Sequence, residues 1–217
     1  MTRDRFLRHL AFAYAVIWAL AAIAPADRSD WLLENVLVFV FVPALVFTHG
    51  RFAFSHGAYV MIFVFLSLHA LGAHYTYSLT PIGFWLQDAF GLARNPYDRG
   101  VHLLFGLLLT PPLQELVVRG LGARGAARYV VPVMLALSLS GGYEILEWWA
   151  ARIVDPDLGI AFIGSQGDEW DSQKDMSLAL AGATLSMLLR AACVEARSGL
   201  RERARGAGTR IALKRAR

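Results

Sequence analysis

Asp98 and His102 stand four residues apart, as do Asp171 and Asp175, while Glu144 and Glu147 stand three apart. At those spacings each pair shares one face of a helix. Carboxylates beside an imidazole support two kinds of chemistry. They can hold a divalent cation: carboxylate oxygens suit magnesium, calcium or manganese, and the imidazole shifts the choice toward zinc or iron. Alternatively, one carboxyl carries a proton and acts as a general acid beside an ionised base. Like carboxylates held together cannot all stay ionised without a cation or a proton among them. The chain has no H-E-x-x-H sequence and no Glu-x-x-His pair. A metal reading therefore rests on convergence of residues rather than on a motif.

The densest polar stretch is "GSQGDEWDSQKD", residues 164–175, which runs without a break into the apolar Met176–Leu189. Ionisable groups at the mouth of a membrane-length helix mark a functional site by default, because charge there is costly. Six residues are candidates for the chemistry: Asp98, His102, Glu144, Glu147, Asp171 and Asp175. His102, Glu144, Glu147 and Asp175 are the ligands if a divalent metal is held, and Asp98 is placed to orient the His102 ring. His69, His74, Tyr97, Gln166, Asp168 and Gln173 are candidates for substrate contact. Within the acidic segment, Asp171 and Asp175 are expected to face inward and Glu169 to face water.

Plainer roles compete for several of these side chains. His69 alone reads as a buried, hydrogen-bonded imidazole. Arg99 and Arg152 could clasp the acids in salt bridges of purely structural value. Glu115 and Arg119 are spaced for a local ion pair. His9, His49 and His56 have no evident partners, and Tyr75, Tyr77, Trp148, Trp149 and Trp170 suit interfacial anchors.

The elements that must position these residues are membrane helices. Of the 217 residues, 56% are hydrophobic and 18% charged; ordinary globular domains are about 45–50% apolar. The excess lies in runs of bilayer length, about 17–25 residues. The six spans are roughly Phe6–Ala24, Trp31–Thr48, Ala53–Ala73, Tyr97–Val118, Tyr129–Ala151 and Ser172–Val194. The expected fold is an all-α, polytopic bundle of about six transmembrane helices in a domain of residues 1–196. Residues 197–217 form a basic tail, expected to be cytoplasmic and disordered. Arg3, Arg5 and Arg8 before an apolar run resemble a secretory signal. Pro25 directly after the Ala22–Ala24 cleavage-like triplet argues for a retained span.

With both termini in the cytoplasm, the cytoplasmic segments hold 16 of the 21 basic residues; the opposite side holds Arg28, Arg94, Arg99, Arg152 and Lys174. That asymmetry fits the positive-inside rule. The tail's arginines suit anionic headgroups, and no nucleic-acid recognition element remains to use them. The single Cys193 excludes an intrachain disulfide. This threading brings the ends of spans three and five and the starts of spans two, four and six to one non-cytoplasmic face, together with Glu34. Small residues, Gly141-Gly142 on span five and Ala179, Gly182 and Ala183 on span six, are expected to pull those two spans together. Loop 74–96, with Phe84, Trp85 and Phe90, is expected to hold a short interfacial helix and to serve as a lid.

"HALGAHYTY", "NPYDRGVHLLFG", "YEILEWW" and "GSQGDEWDSQKDMSLALAGA" appear in that order. Together they resemble the YjdF-type family of bacterial inner-membrane proteins, over about residues 30–195. The resemblance implies a polytopic inner-membrane protein and no particular activity. A looser similarity is to VanZ-like membrane proteins, in the order Asp98/His102, Glu144/Glu147, Asp175 with Ala181-Gly182-Ala183; it implies a cell-envelope role.

Three functions fit. The first is a membrane enzyme or binding protein acting on a lipid or lipid-linked envelope substrate at the non-cytoplasmic face, its cofactor, if any, a divalent metal ion. The second is a proton-coupled transporter or permease relaying protons through Glu144, Glu147 and Asp175. Six helices without repeats are few for alternating access in a single chain. The third is a non-catalytic accessory protein. The sequence leaves the oligomeric state open.

Overall fold

The computed structural model describes residues 3–153 and 165–215, with side chains for 4–153 and 165–196. Its described elements are all helical. They are α1 (Arg3–Ala21), α2 (Arg28–Glu34), α3 (Val36–Thr48), α4 (His56–His74), α5 (Pro81–Phe90), α6 (Tyr97–Glu115), a π-helical turn (Leu116–Gly120), α7 (Ala127–Ile153) and α8 (Asp171–Arg215). Among the described residues, five segments are long and apolar enough to cross a membrane: Arg28–Thr48, His56–His74, Tyr97–Gly120, Ala127–Ile153 and Asp171–Ala196. Helix α1 has 19 residues. Its first turns, however, carry Arg3, Asp4, Arg5 and Arg8, leaving a shorter apolar stretch.

Cross-contacts fix the threading. Phe6 of α1 packs edge-on against His56, and the Ala21 carbonyl meets His74 Nδ1 at 2.9 Å, so α1 runs parallel to α4. His49, expected to lack a partner, bonds the Tyr59 hydroxyl at 2.7 Å and closes the α3–α4 hairpin. Ser55 at the start of α4 bonds Glu115 at the end of α6. Arg190 donates to Gln114 at 2.5 Å, so α6 and α8 run the same way. The chain thus crosses the bundle up and down, with residue 3 and residue 196 at the same end.

Local chemistry explains the element boundaries. The Asp27 carboxylate caps α2, accepting from the Ser29 and Asp30 amides at 2.8 Å each. Asn35 interrupts the second span between α2 and α3. Its side chain donates to the Trp31 carbonyl and accepts from the Trp18 indole, which satisfies its polar atoms inside apolar surroundings. Pro81 at the first position and Gly91 in the left-handed conformation (φ 61°) bound the short helix α5. Its Ile82, Trp85 and Phe90 are exposed.

The tightest crossing is between α6 and α8. A Cβ on Gly106 would lie 2.0 Å from the Ala179 carbonyl oxygen, and one on Gly182 would lie 2.1 Å from the Leu103 oxygen. Ala179 and Ala183 are fully buried there. This corrects the expectation that the small-residue stripe of span six seeks span five. Among the described residues, a Cβ on Gly142 would meet nothing within 4 Å outside its own helix, and one on Gly141 would meet the Met176 sulfur at 3.2 Å. The reason is register: Gly106 continues the Asp98–His102 stripe by one more turn, so it, rather than the α7 glycines, meets Ala179 and Ala183.

Candidate functional site

The α6 stripe Asp98–His102–Gly106 faces the α8 stripe Asp171–Asp175–Ala179–Ala183. Backbone contact at Gly106 and Gly182 fixes the separation, and the polar ends of both stripes meet at the end of the bundle where α6 and α8 begin. The acids there divide into two layers.

The outer layer is an ion-pair clasp. Arg94, just before α6, ion-pairs with Asp171, and its Nη1 also donates to the Ser165 carbonyl at 3.0 Å. Arg99 ion-pairs with Asp168 and lies 3.4 Å from Asp171. Lys174 reaches back to both Asp168 oxygens at 2.6 and 2.9 Å. Its hydrogen bond from Lys174, with further donation from the Trp170 amide and Arg99, pulls the Asp168 carboxyl down to about 2. Gln166 exchanges two 3.1 Å hydrogen bonds with the Asn95 backbone. Glu169 and Gln173 are exposed.

The inner layer is served less directly. The Arg94 and Arg99 charges act on Asp98, but among the described residues no lysine or arginine ion pair reaches Glu144, Glu147 or Asp175. His102 Nε2 lies 3.7 Å from Asp98 Oδ1 and 3.5 Å from Glu144 Oε1, while its Nδ1 faces Ser140 Oγ at 3.5 Å. One potential ligand atom from each of Asp98, His102 and Asp175 lies within 4.8 Å of the others. Asp175 is 2% exposed, and its Oδ1 has no hydrogen-bond partner; nor has Glu144 Oε1. The Glu144 and Glu147 carboxyls are within hydrogen-bonding reach of each other. Two carboxyls share a hydrogen bond only when one carries a proton.

A polar extension joins this layer to α2 and α4. The Tyr143 hydroxyl donates to Glu34 Oε2 at 2.8 Å. His69 Nε2 lies 3.1 Å from the Glu34 carbonyl, which can only accept, so Nε2 carries the hydrogen. Nδ1 then accepts from the Tyr77 hydroxyl at 2.5 Å. Burial pushes the Tyr77 phenol well above its ordinary range, so it stays a donor. Tyr77 sits at φ 52° with its ring over Gly72, where any Cβ would lie 2.6 Å from the ring. Both His69 nitrogens are thus engaged, and His74 Nδ1 is held by the Ala21 carbonyl. The Tyr97 hydroxyl donates to the Leu68 carbonyl at 2.8 Å.

Of the sequence candidates, then, the fold gathers Asp98, His102, Glu144, Glu147 and Asp175. Asp168 and Asp171 go to the clasp, and His69, His74, Tyr97 and Gln166 tie helices and loops together. Sequence reasoning did not single out Asp30, Arg94, Ser140 or Tyr143. Asp30 is 1% exposed with both carboxylate oxygens unpartnered. Its i, i+4 spacing to Glu34 was the available signal.

Beside the inner layer lies a cavity of about 400 Å³ between α3, α4, α6 and α7. His69, His102, Ser140 and Tyr143 line it at the polar end; Val40, Ala44, Phe105 and Leu109 are among its apolar lining. Val40, Phe41 and Leu139 are exposed on its rim, so it opens on the flank of the bundle. A second cavity of similar volume, between α1, α3 and α4, is lined by Tyr14, His49 and Tyr59 and lies away from the acids.

An all-helical bundle with five membrane-length helices and an ionisable cluster at one end is a polytopic integral membrane protein. The chain belongs to the family described as "Predicted membrane protein (DUF2238)", which it matches over residues 6–196. It is 36% identical over 179 residues to the "Inner membrane protein YjdF" of Escherichia coli (strain K12), covering 82% of this chain and 85% of that protein. It is accordingly an inner-membrane protein, as the four sequence motifs led one to expect. No solved structure matches it.

Proposed function

We propose that this protein binds, and acts on, a lipid or lipid-linked envelope molecule at the non-cytoplasmic end of the bundle. One observation carries the reading: the apolar, flank-opening cavity and the inner acid layer share His102 and its neighbour Ser140, and Tyr143 of the polar extension lines the same cavity. A hydrocarbon chain entering between α3 and α7 would lie along Val40, Phe41 and Leu109, with its polar end at His102. Mostly apolar walls with a few converging polar groups are the usual character of a small-molecule site. The basic asymmetry of the sequence supports the orientation. Arg119, Arg128 and Arg190 belong to the end opposite the acids.

The outer clasp argues that Asp168 and Asp171 are structural. The chemistry is therefore assigned to Asp98, His102, Glu144 and Asp175. Native mass spectrometry of protein extracted with its lipids tests the reading. Retained lipid should fall sharply in Ala44→Trp, which fills the cavity, and persist in Val130→Trp, which places the same bulk on an exposed position of α7. Equal retention in both variants would sink it.

A further inference from the structure

We infer that Asp98, His102 and Asp175, completed by Glu144, form a binding site for one divalent transition-metal ion. Three observations carry this beyond an acidic cluster. First, ligand atoms of Asp98, His102 and Asp175 already lie within 4.8 Å of one another, and Glu144 Oε1 is 3.5 Å from the same ring nitrogen. Metal ligands at about 2.0–2.2 Å from the ion stand roughly 3–3.5 Å apart. Closing the set therefore needs small side-chain rotations and no helix movement.

Second, two buried carboxylate oxygens of the group have no hydrogen-bond partner. Asp175 Oδ1 belongs to a residue 2% exposed, and Glu144 Oε1 to a side chain 9% exposed. Buried polar atoms are almost always satisfied, so each orphan calls for a ligand or a proton. Third, the neighbouring acids are treated differently. Asp168 and Asp171 each ion-pair with arginine, whereas Asp175 and Glu144 have no arginine or lysine ion pair among the described residues. The fold thus places its ion pairs one turn outward and leaves Asp175 and Glu144 without one, one turn inward.

The ligand types choose the metal class. A single imidazole among carboxylates suits manganese, iron or zinc better than magnesium or calcium, which favour oxygen alone. Ser140 Oγ sits on the far side of the ring, 3.5 Å from Nδ1, where it can accept that nitrogen's hydrogen and so leave Nε2 to the metal. The α6–α8 backbone contact at Gly106 and Gly182 holds the ligand-bearing turns rigidly.

The inference stands apart from the lipid reading, because its probe is the metal alone. Detergent-purified protein, stripped with chelator and then dialysed against Mn²⁺, should retain about one ion per chain by elemental analysis. Electron spin-echo spectra should show nitrogen coupling from one imidazole. His102→Ala should abolish that coupling, and Asp175→Asn should weaken Mn²⁺ binding at least tenfold. Asp168→Asn, in the clasp, should leave both readouts unchanged. Size-exclusion profiles identify any variant that fails to fold. Asp175→Asn keeps side-chain shape, so it remains informative if His102→Ala does not fold. No retained metal in wild type, retained metal without nitrogen coupling, or full binding in folded Asp175→Asn would each overturn the proposal.

Discussion

Arg94 ion-pairs with Asp171 across the mouth of α6 and α8, and the contact spends the first acid of α8 on structure. The next acid on the same face, Asp175, receives no such partner among the described residues. One helical turn therefore separates a closed electrostatic clasp from an acid with no ion-pair partner. Only 10% of the Arg94 side chain and 6% of the Asp171 side chain are exposed, so neither charge can fall back on water.

Arg94→Ala should consequently cost more than any surface charge deletion. Removing one partner of a buried ion pair typically costs about 3–5 kcal/mol; Arg99, 3.4 Å from Asp171, offsets part of that here. Thermal unfolding in detergent, followed by tryptophan fluorescence, should show a large drop. The double variant Arg94→Ala/Asp171→Asn should recover part of it, since the orphaned charge is gone. A double variant as unstable as the sum of the singles would show that the pair is not coupled.

Asp168 gives the clasp a pH dependence of defined sign. Its carboxyl is lowered from 3.8 to about 2, first by the hydrogen bond from Lys174. A depressed carboxyl stabilises the fold above its unfolded pKa, and the contribution is lost as pH falls through the folded value. The stabilisation from Asp168 should thus be complete above about pH 4 and disappear toward pH 2. The gap in melting temperature between wild type and Asp168→Asn should close over that window. Raised salt should narrow it at neutral pH, because the group is partly exposed and screened. A gap that is independent of pH from 5 to 2 would assign the effect to packing.

The two-layer arrangement shows where sequence reading reached and where it stopped. Apolar runs of bilayer length marked the helices, and i, i+4 spacing put Asp98 with His102 and Asp171 with Asp175. Those are local properties of one helix. Which acids meet arginine depends on where the loops before α6 and α8 run, and Arg94 lies in an irregular segment whose direction no periodicity encodes. The partner of the α8 small-residue stripe was equally hidden. Gly106 stands by itself among leucines, six residues after Gly100 on the same helix, whereas Gly141-Gly142 looked like a packing surface. Only the α6–α8 register distinguishes them. The Asn35 break divided a span that hydropathy reads as continuous, because a satisfied polar side chain leaves little trace in an average.

The glycine correction is directly measurable. A methyl group at position 106 would meet the Ala179 carbonyl oxygen at 2.0 Å. That atom is backbone in a packed helix and cannot swing aside. Gly106→Ala should therefore destabilise by about 3 kcal/mol, the upper range for overpacking. Gly142→Ala meets no atom within 4 Å. It should be neutral or stabilising by up to about 1 kcal/mol, the gain in helix propensity. Melting temperatures that move together would return the tight crossing to α7.

The Tyr143–Glu34 hydrogen bond links α7 to α2 and borders the cavity, and it should be costly to break from one side only. Glu34 is 4% exposed and takes its side-chain hydrogen bond from the Tyr143 hydroxyl at 2.8 Å. Tyr143→Phe removes that donor and leaves a buried carboxyl oxygen unsatisfied, at about 1–3 kcal/mol. Glu34→Met alone leaves a buried hydroxyl in its turn. Replacing both partners removes the unsatisfied groups, so Tyr143→Phe/Glu34→Met should be more stable than Tyr143→Phe. Melts of the three variants in one detergent decide the matter. If the double variant is the least stable, Glu34 is held by interactions other than this hydrogen bond, and the polar extension of the site toward α2 has a different anchor.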